Sequence, residues 1–303
     1  FDKRHPSEKP SVTALTYSHK YTLRTMPQIS GKTYDLAISF LTPHYFVRNR
    51  VKAKKFAAWI HTDYTALAYD RKEEIAMWRK YDAICGVSEQ VTDAFNEAFP
   101  ELSGLTETVE NILPEKLIVS QSKLEQKDLR ENDSIELLSV GRFSEQKNFD
   151  NVPDICRRLM ENGLDVKWYL IGYGGEESLI RQKIAEAGMQ ERVIILGKKD
   201  NPYPYMRACD LYVQPSRYEG KAVTVREAQL LGKPVVITSY ATSASQLEDG
   251  VDGVIVPMDS AGCAAGIVAL LRDPARMQQL SENCASRDYT NSAEIEKIYA
   301  LME

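Results

Sequence analysis

Short apolar runs of strand length recur along the chain, and most are separated by stretches whose apolar positions follow a helical period. The alternation is clearest beyond residue 134. Runs at 134–140, 167–172, 193–197, 211–213, 235–238 and 253–257 read as strands, with helices over 151–162, 177–187, 203–208, 222–231 and 243–248. Strands that alternate with helices predict a parallel sheet with helices on both faces, an α/β fold. Helices over 260–272 and 273–286 close this part, and a last helix over 292–302 is expected to pack back on the first part of the chain.

The pattern is sparser before residue 134. Strand runs stand at 34–40, 56–61, 83–88 and 105–111, with helices over 44–55 and 70–81. Another helix is expected after Ser88, whose hydroxyl suits an N-cap. Residues 1–10 are polar and read as a loop. No strand, Gly-rich turn or helix is expected before residue 34. The polar stretch 114–133 reads as a linker. The implied division is a first domain over 1–119, a second over 120–289, and a returning helix in 290–303.

A length of 303 residues accommodates two domains, and 43% hydrophobic with 27% charged residues is ordinary for a globular protein. The most apolar stretch, 261–271, falls well short of the ~20 residues that span a bilayer. Five cysteines without C-x-x-C spacing argue against a disulfide framework or a zinc site. They suit a reducing compartment, so a cytoplasmic location is expected. The net charge of −5 hides an asymmetry: residues 1–80 hold 15 basic and 7 acidic residues, the rest 23 and 36. A basic first part suggests an anionic partner there. Its densest stretch holds Arg48, Arg50, Lys52, Lys54 and Lys55. One reading is a solvated helix end; the other is peripheral contact with the inner face of an anionic membrane, at ~1 kcal/mol per basic residue. No nucleic-acid partner is expected.

Candidate chemistry concentrates in Tyr218–Lys233, Y-E-G-K-A-V-T-V-R-E-A-Q-L-L-G-K. Glu219 sits beside Gly220 at the end of a loop, and Glu227 lies eight positions on, inside a helix that Gly232 closes. The first amides of that helix, those of Ala222, Val223 and Thr224, are orphan donors suited to an anion. Glu227 follows about one turn later, where a carboxylate can accept from a sugar diol.

This stretch resembles the E-x7-E signature of retaining glycosyltransferases of family 4. The resemblance implies the GT-B fold, two Rossmann-like domains facing across a cleft. It also implies that Glu219 lies at the donor sugar, that Glu227 holds the nucleotide ribose, and that the amides between them hold phosphate and sugar. The usual form is E-G-F-G-x-P, whereas here Lys221, Ala222 and Thr224 stand at the third, fourth and sixth places. A second segment, Gly141-Arg142-Phe-Ser-Glu-Gln-Lys147-Asn, resembles the family's G-R-x-x-x-x-K-N, in which the Arg and Lys hold the donor diphosphate. A departing nucleoside diphosphate gains negative charge that must be stabilised. The sequence has no two Asp residues two positions apart, so these cations and the helix start are expected to act without a metal or cofactor.

His61, at the end of a strand, is either a structural hydrogen-bonding group or, as the resemblance implies, a residue near donor sugar and acceptor. Gly172-Tyr-Gly-Gly is a strand-to-helix turn that the family places at the cleft, and Gly197-Lys-Lys-Asp200 is one that it places at the base. The family also usually opens with a strand, a Gly-rich loop and a helix. Their absence before residue 34 leads to the expectation of a chain truncated at its N-terminal side. The expected activity is transfer from a nucleotide-diphosphate sugar, a UDP-sugar first, to a glycan or polyprenyl-diphosphate-linked acceptor in cell-surface polysaccharide synthesis. The alternatives are a nucleotide-sugar-binding or sensing protein without transfer, and a GT-B nucleotide-sugar epimerase.

Overall fold

The structure, a computed structural model, describes residues 9, 11–41, 44–126, 129 and 134–303. The loop expected over 1–10 and the last part of the linker expected over 114–133 fall largely outside them. The chain forms two compact units, one of residues up to Ile112 with Asn291–Glu303, the other of Leu113–Thr290.

The first unit is built on β1 (Thr33–Ser39), β2 (Lys52–Ile60), β3 (Ala83–Gly86) and β4 (Thr106–Thr108). They lie in that order in one parallel sheet. The end of β2 is buried throughout, from Phe56 to Ile60, because helices cover it on both faces. Trp78, Phe95 and Phe99 fill the space beside it, with Tyr64 set edge-on to Phe95 at 5.2 Å. Asp70 and Ser88 cap the helices Arg71–Trp78 and Glu89–Ala98 by accepting from backbone amides of their first turns. The helix Glu294–Ala300 belongs to this unit: Ile298 and Leu301 pack against its core, and Lys297 donates to the Thr108 carbonyl at 2.9 Å.

Three expectations need correction here. A helix, Thr13–Thr22, does precede the first strand. The stretch 44–55 is not one helix: His44–Arg50 is helical, and Lys52 already begins β2. The stretch 114–133 is not all linker, since Glu115–Ser122 is helical and Ile118 is buried against Cys284 and Tyr289 of the second unit.

The second unit holds β5 (Ile135–Val140), β6 (Val166–Ile171), β7 (Val193–Gly197), β8 (Leu211–Gln214), β9 (Val235–Thr238) and β10 (Val254–Val256). All pair in parallel, in the order β10-β9-β8-β5-β6-β7. Successive residues of each strand feed opposite layers. Leu137, Trp168 and Val213 join Ile155 and Ile267 on one face; Leu138, Tyr169 and Tyr212 join Met206 and Val225 on the other. Two-sided burial is why these strands read as unbroken apolar runs. All five cysteines are free and buried.

Candidate functional site

The order of the second sheet reverses between β5 and β8: β6 and β7 extend it on one side, β9 and β10 on the other. In an open parallel sheet, loops leaving the strand ends at such a point diverge and leave a ligand crevice. The two loops that leave β5 and β8 are 141–148 and 215–222, which carry both motifs.

The loops are tied together by their own side chains. Lys147 Nζ lies 2.6 Å from Glu219 Oε1. Gln146 Nε2 donates to Glu219 Oε2 at 3.1 Å and to the Tyr218 carbonyl at 3.0 Å. Arg217 forks onto Asp150 at 2.8 and 3.1 Å, a planar bidentate pair. Asn148 takes the left-handed conformation, φ +58°, and from there its amide reaches the Pro215 carbonyl at 2.8 Å. Glu219 is only 8% exposed, held by Lys147 and by Ser216 Oγ, which donates to the same oxygen at 2.6 Å.

Gly141 and Gly172 meet at the ends of paired β5 and β6. A Cβ on Gly172 would stand 1.8 Å from the Gly141 carbonyl oxygen, so only glycine fits there. Arg142 is exposed and has no ion pair among the described residues. Glu227 sits on the helix Val223–Leu230, which Gly232 closes at φ +69°. Its Oε1 accepts from the Tyr203 hydroxyl at 3.0 Å. Burial pushes the Glu227 carboxyl above the usual carboxylate range, against the opposing pull of that hydrogen bond. One expected donor is not free: the Ala222 N–H donates to Gln246 Oε1 at 2.6 Å. Val223 and Thr224 therefore lead the helix start, and Gly220 precedes it in the loop.

His61 belongs to the first unit, just past the end of β2. Its Nε2 donates to the Phe40 carbonyl at 2.8 Å, and the ring stands edge-on to Phe40 at 4.7 Å. Burial lowers its basicity. It borders a cavity of about 160 Å³ that His19, His44, Trp59 and Glu74 also line. His44, pushed down to about 4 chiefly by burial, is neutral at pH 7.

The basic stretch is partly engaged within its own unit. Arg48 donates to the Lys80 carbonyl at 2.6 Å and stacks on Phe56 at 4.3 Å. Arg50 donates to the Leu23 carbonyl, and Lys54 pairs with Asp35 at 2.6 Å. Lys52 and Lys55 lie on β2, where an odd spacing turns them to opposite faces. Among the described residues, no helix is long and apolar enough to cross a membrane.

Sequence reasoning missed Gln146, Ser216, Tyr203 and Gln246. Gln146 lies inside the first motif, and Ser216 stands three residues before Glu219, so position was their only signal.

The family model described as glycosyl transferases group 1 matches residues 120–287, over half of the chain. The α-D-kanosaminyltransferase of Streptomyces kanamyceticus is 28% identical over 49% of this chain and 39% of its own. The lipopolysaccharide core biosynthesis glycosyltransferase LpsE of Rhizobium meliloti is 26% identical over 70% of this chain and 61% of its own. The chain thus spans less than two thirds of these relatives. Anabaena HepE, solved in complex with UDP-glucose, superposes with a TM-score of 0.74 at 19% identity, over 94% of this chain and 82% of that one. The two parallel-sheet units have the GT-B fold, and the chain belongs to the group 1 glycosyl transferases.

Proposed function

We propose that the chain is a retaining, metal-independent glycosyltransferase that uses a nucleotide-diphosphate sugar. The donor is a UDP-sugar, and the acceptor is a glycan or polyprenyl-diphosphate-linked saccharide of cell-surface polysaccharide synthesis. The observation that carries this reading is the meeting of Lys147 and Glu219 from two loops at the point where the sheet order reverses. A cation, a carboxylate and a helix start converge there, as cleavage of a sugar–diphosphate bond requires. The named activities of relatives such as LpsE, and UDP-glucose in HepE, support the donor and acceptor classes.

In this reading the diphosphate draws Lys147 from Glu219 and meets Arg142 and the amides of Val223 and Thr224. Charge that builds on the departing nucleoside diphosphate is balanced by these cations and by the helix dipole. Glu219 then faces the donor sugar, and Glu227, oriented by Tyr203, accepts from the ribose diol. Gly141 and Gly172 let backbone approach the nucleotide closely. His61 acts on the acceptor side, beside the cavity of the first unit. Contact with an anionic membrane surface would fall to whichever of Lys52 and Lys55 faces it, more than to the engaged Arg48, Arg50 and Lys54.

A thermal-shift screen of nucleotide sugars, followed by a transfer assay with and without chelator, tests the reading. Stabilisation by a UDP-sugar and chelator-insensitive turnover are expected. A diphosphate held mainly by residues before 112, or turnover that needs added divalent metal, would overturn the corresponding part.

A further inference from the structure

Glu219 stands at the end of a buried chain of donors that begins inside the second sheet. Tyr212 Oη donates to Gln214 Oε1 at 3.0 Å, and Gln214 Nε2 donates to Ser216 Oγ at 2.9 Å. Ser216 Oγ then donates to Glu219 Oε1 at 2.6 Å. Tyr212, Gln214 and Ser216 are fully buried, so these three groups do not face solvent. Each group spends its proton in the direction of Glu219, and hydrogen bonds aligned head to tail in a low dielectric polarise one another. Thr238 adds a bond to the Ser216 carbonyl, which fixes the backbone that presents the hydroxyl.

The carboxylate of Glu219 has three side-chain donors: Ser216 and Lys147 on Oε1, Gln146 on Oε2. They differ in permanence. Lys147 is a flexible cation that a diphosphate competes for, and Gln146 is on the same loop. Among the described residues Ser216 Oγ has no competing partner: its single proton goes to Glu219, and its oxygen already accepts from Gln214. It is therefore the donor that stays when Lys147 leaves. We propose that Ser216, backed by Gln214, is a positioning residue that keeps Glu219 aimed at the donor sugar once the diphosphate has taken Lys147. The proposal rests on the reading of Glu219 as the carboxylate at that sugar.

Ser216→Ala, Ser216→Thr, Gln214→Leu and Glu219→Ala in the full chain test it, with UDP-glucose binding and turnover measured separately. Ser216→Ala, which leaves the buried Gln214 amide without its acceptor, should fold with a lowered melting temperature, bind UDP-glucose within about threefold of wild type, and turn over about 10- to 100-fold more slowly, as a misaimed reacting group does. Ser216→Thr, which keeps the hydroxyl, should recover most of the rate. Gln214→Leu should fall between, and it carries the same comparison if Ser216→Ala does not fold. Wild-type turnover in Ser216→Ala, or equal losses in binding and rate without recovery in Ser216→Thr, would overturn the proposal while a slow Glu219→Ala left the site reading intact. Unchanged turnover in Glu219→Ala would overturn both.

Discussion

At the scale of single residues, Glu227 is the most exacting test of the donor site. Burial raises its pKa above the usual carboxylate range, so the folded chain holds its proton more tightly than the unfolded one. This group's contribution to stability is therefore lost as pH rises from the unfolded value through the folded one. Donor binding should run the other way, because a ribose diol donates to the ionised form. UDP-glucose affinity, read by calorimetry, is expected to increase as pH rises through that window, and the increase should vanish in Glu227→Gln. A Tyr203→Phe variant loses the bond that favours the ionised form, so its rise in affinity should move to higher pH. At pH 8, Glu227→Ala should weaken binding by about 1.5–3 kcal/mol, the range for a lost charged hydrogen bond. An affinity equal to wild type would remove Glu227 from the ribose. That Lys147 and Glu219 belong to facing loops was readable, because each stands at a fixed place in a motif. Tyr203 was not: it reaches Glu227 across 24 positions through a packing of two helices that no local pattern announces.

At the scale of elements, the strands were legible and the first-unit helices less so. β8 and β9 open on uninterrupted apolar runs, 211–213 and 235–237, a pattern that survives any packing detail. Thr13–Thr22 carries Thr, Tyr, Ser, His and Lys without a clean apolar stripe and has no side-chain cap, so neither helix signal was present. In 44–55 the charge run hid the change of period at Val51, where the helix gives way to β2. That break spreads the basic residues over two elements and lowers the charge any one face presents. Lys52→Ala combined with Lys55→Ala should nonetheless reduce sedimentation with anionic vesicles if this region touches membrane; an unchanged bound fraction would end that proposal. The glycine turn after β6 allows a sharper expectation. Gly172→Ala places a methyl group against the Gly141 carbonyl and should destabilise by about 1–3 kcal/mol, the cost of overpacking. Gly104→Ala meets nothing within 4 Å and should leave the melting temperature unchanged. Equal melting temperatures for the two variants would show that the β5 and β6 turns do not need their close approach.

At the scale of the whole molecule, the division of labour follows from which residues share a unit. Leu113–Thr290 contains six parallel strands, its own apolar layers on both faces of the sheet, and the helix Glu115–Ser122 packed on Cys284 and Tyr289. It also contains every residue assigned here to the donor: Gly141, Arg142, Lys147, Gly172, Glu219, Gly220, Val223, Thr224 and Glu227. The alternation of strands and helices made this sheet readable, whereas the bond from Ser216 to Glu219 needed the folded loop. If those residues are the donor's ligands, a unit with its own core and all of them should not need the other to recognise the nucleotide. Residues 113–290 expressed alone should melt cooperatively and bind UDP-glucose within about threefold of the full chain, a difference under 1 kcal/mol. The same piece should fail in transfer, since holding one substrate without the second forfeits the advantage of orientation. If the isolated unit folds but binds far more weakly than the full chain, residues of the first unit contribute directly to the donor, and the assignment of the nucleotide to the second unit alone is wrong.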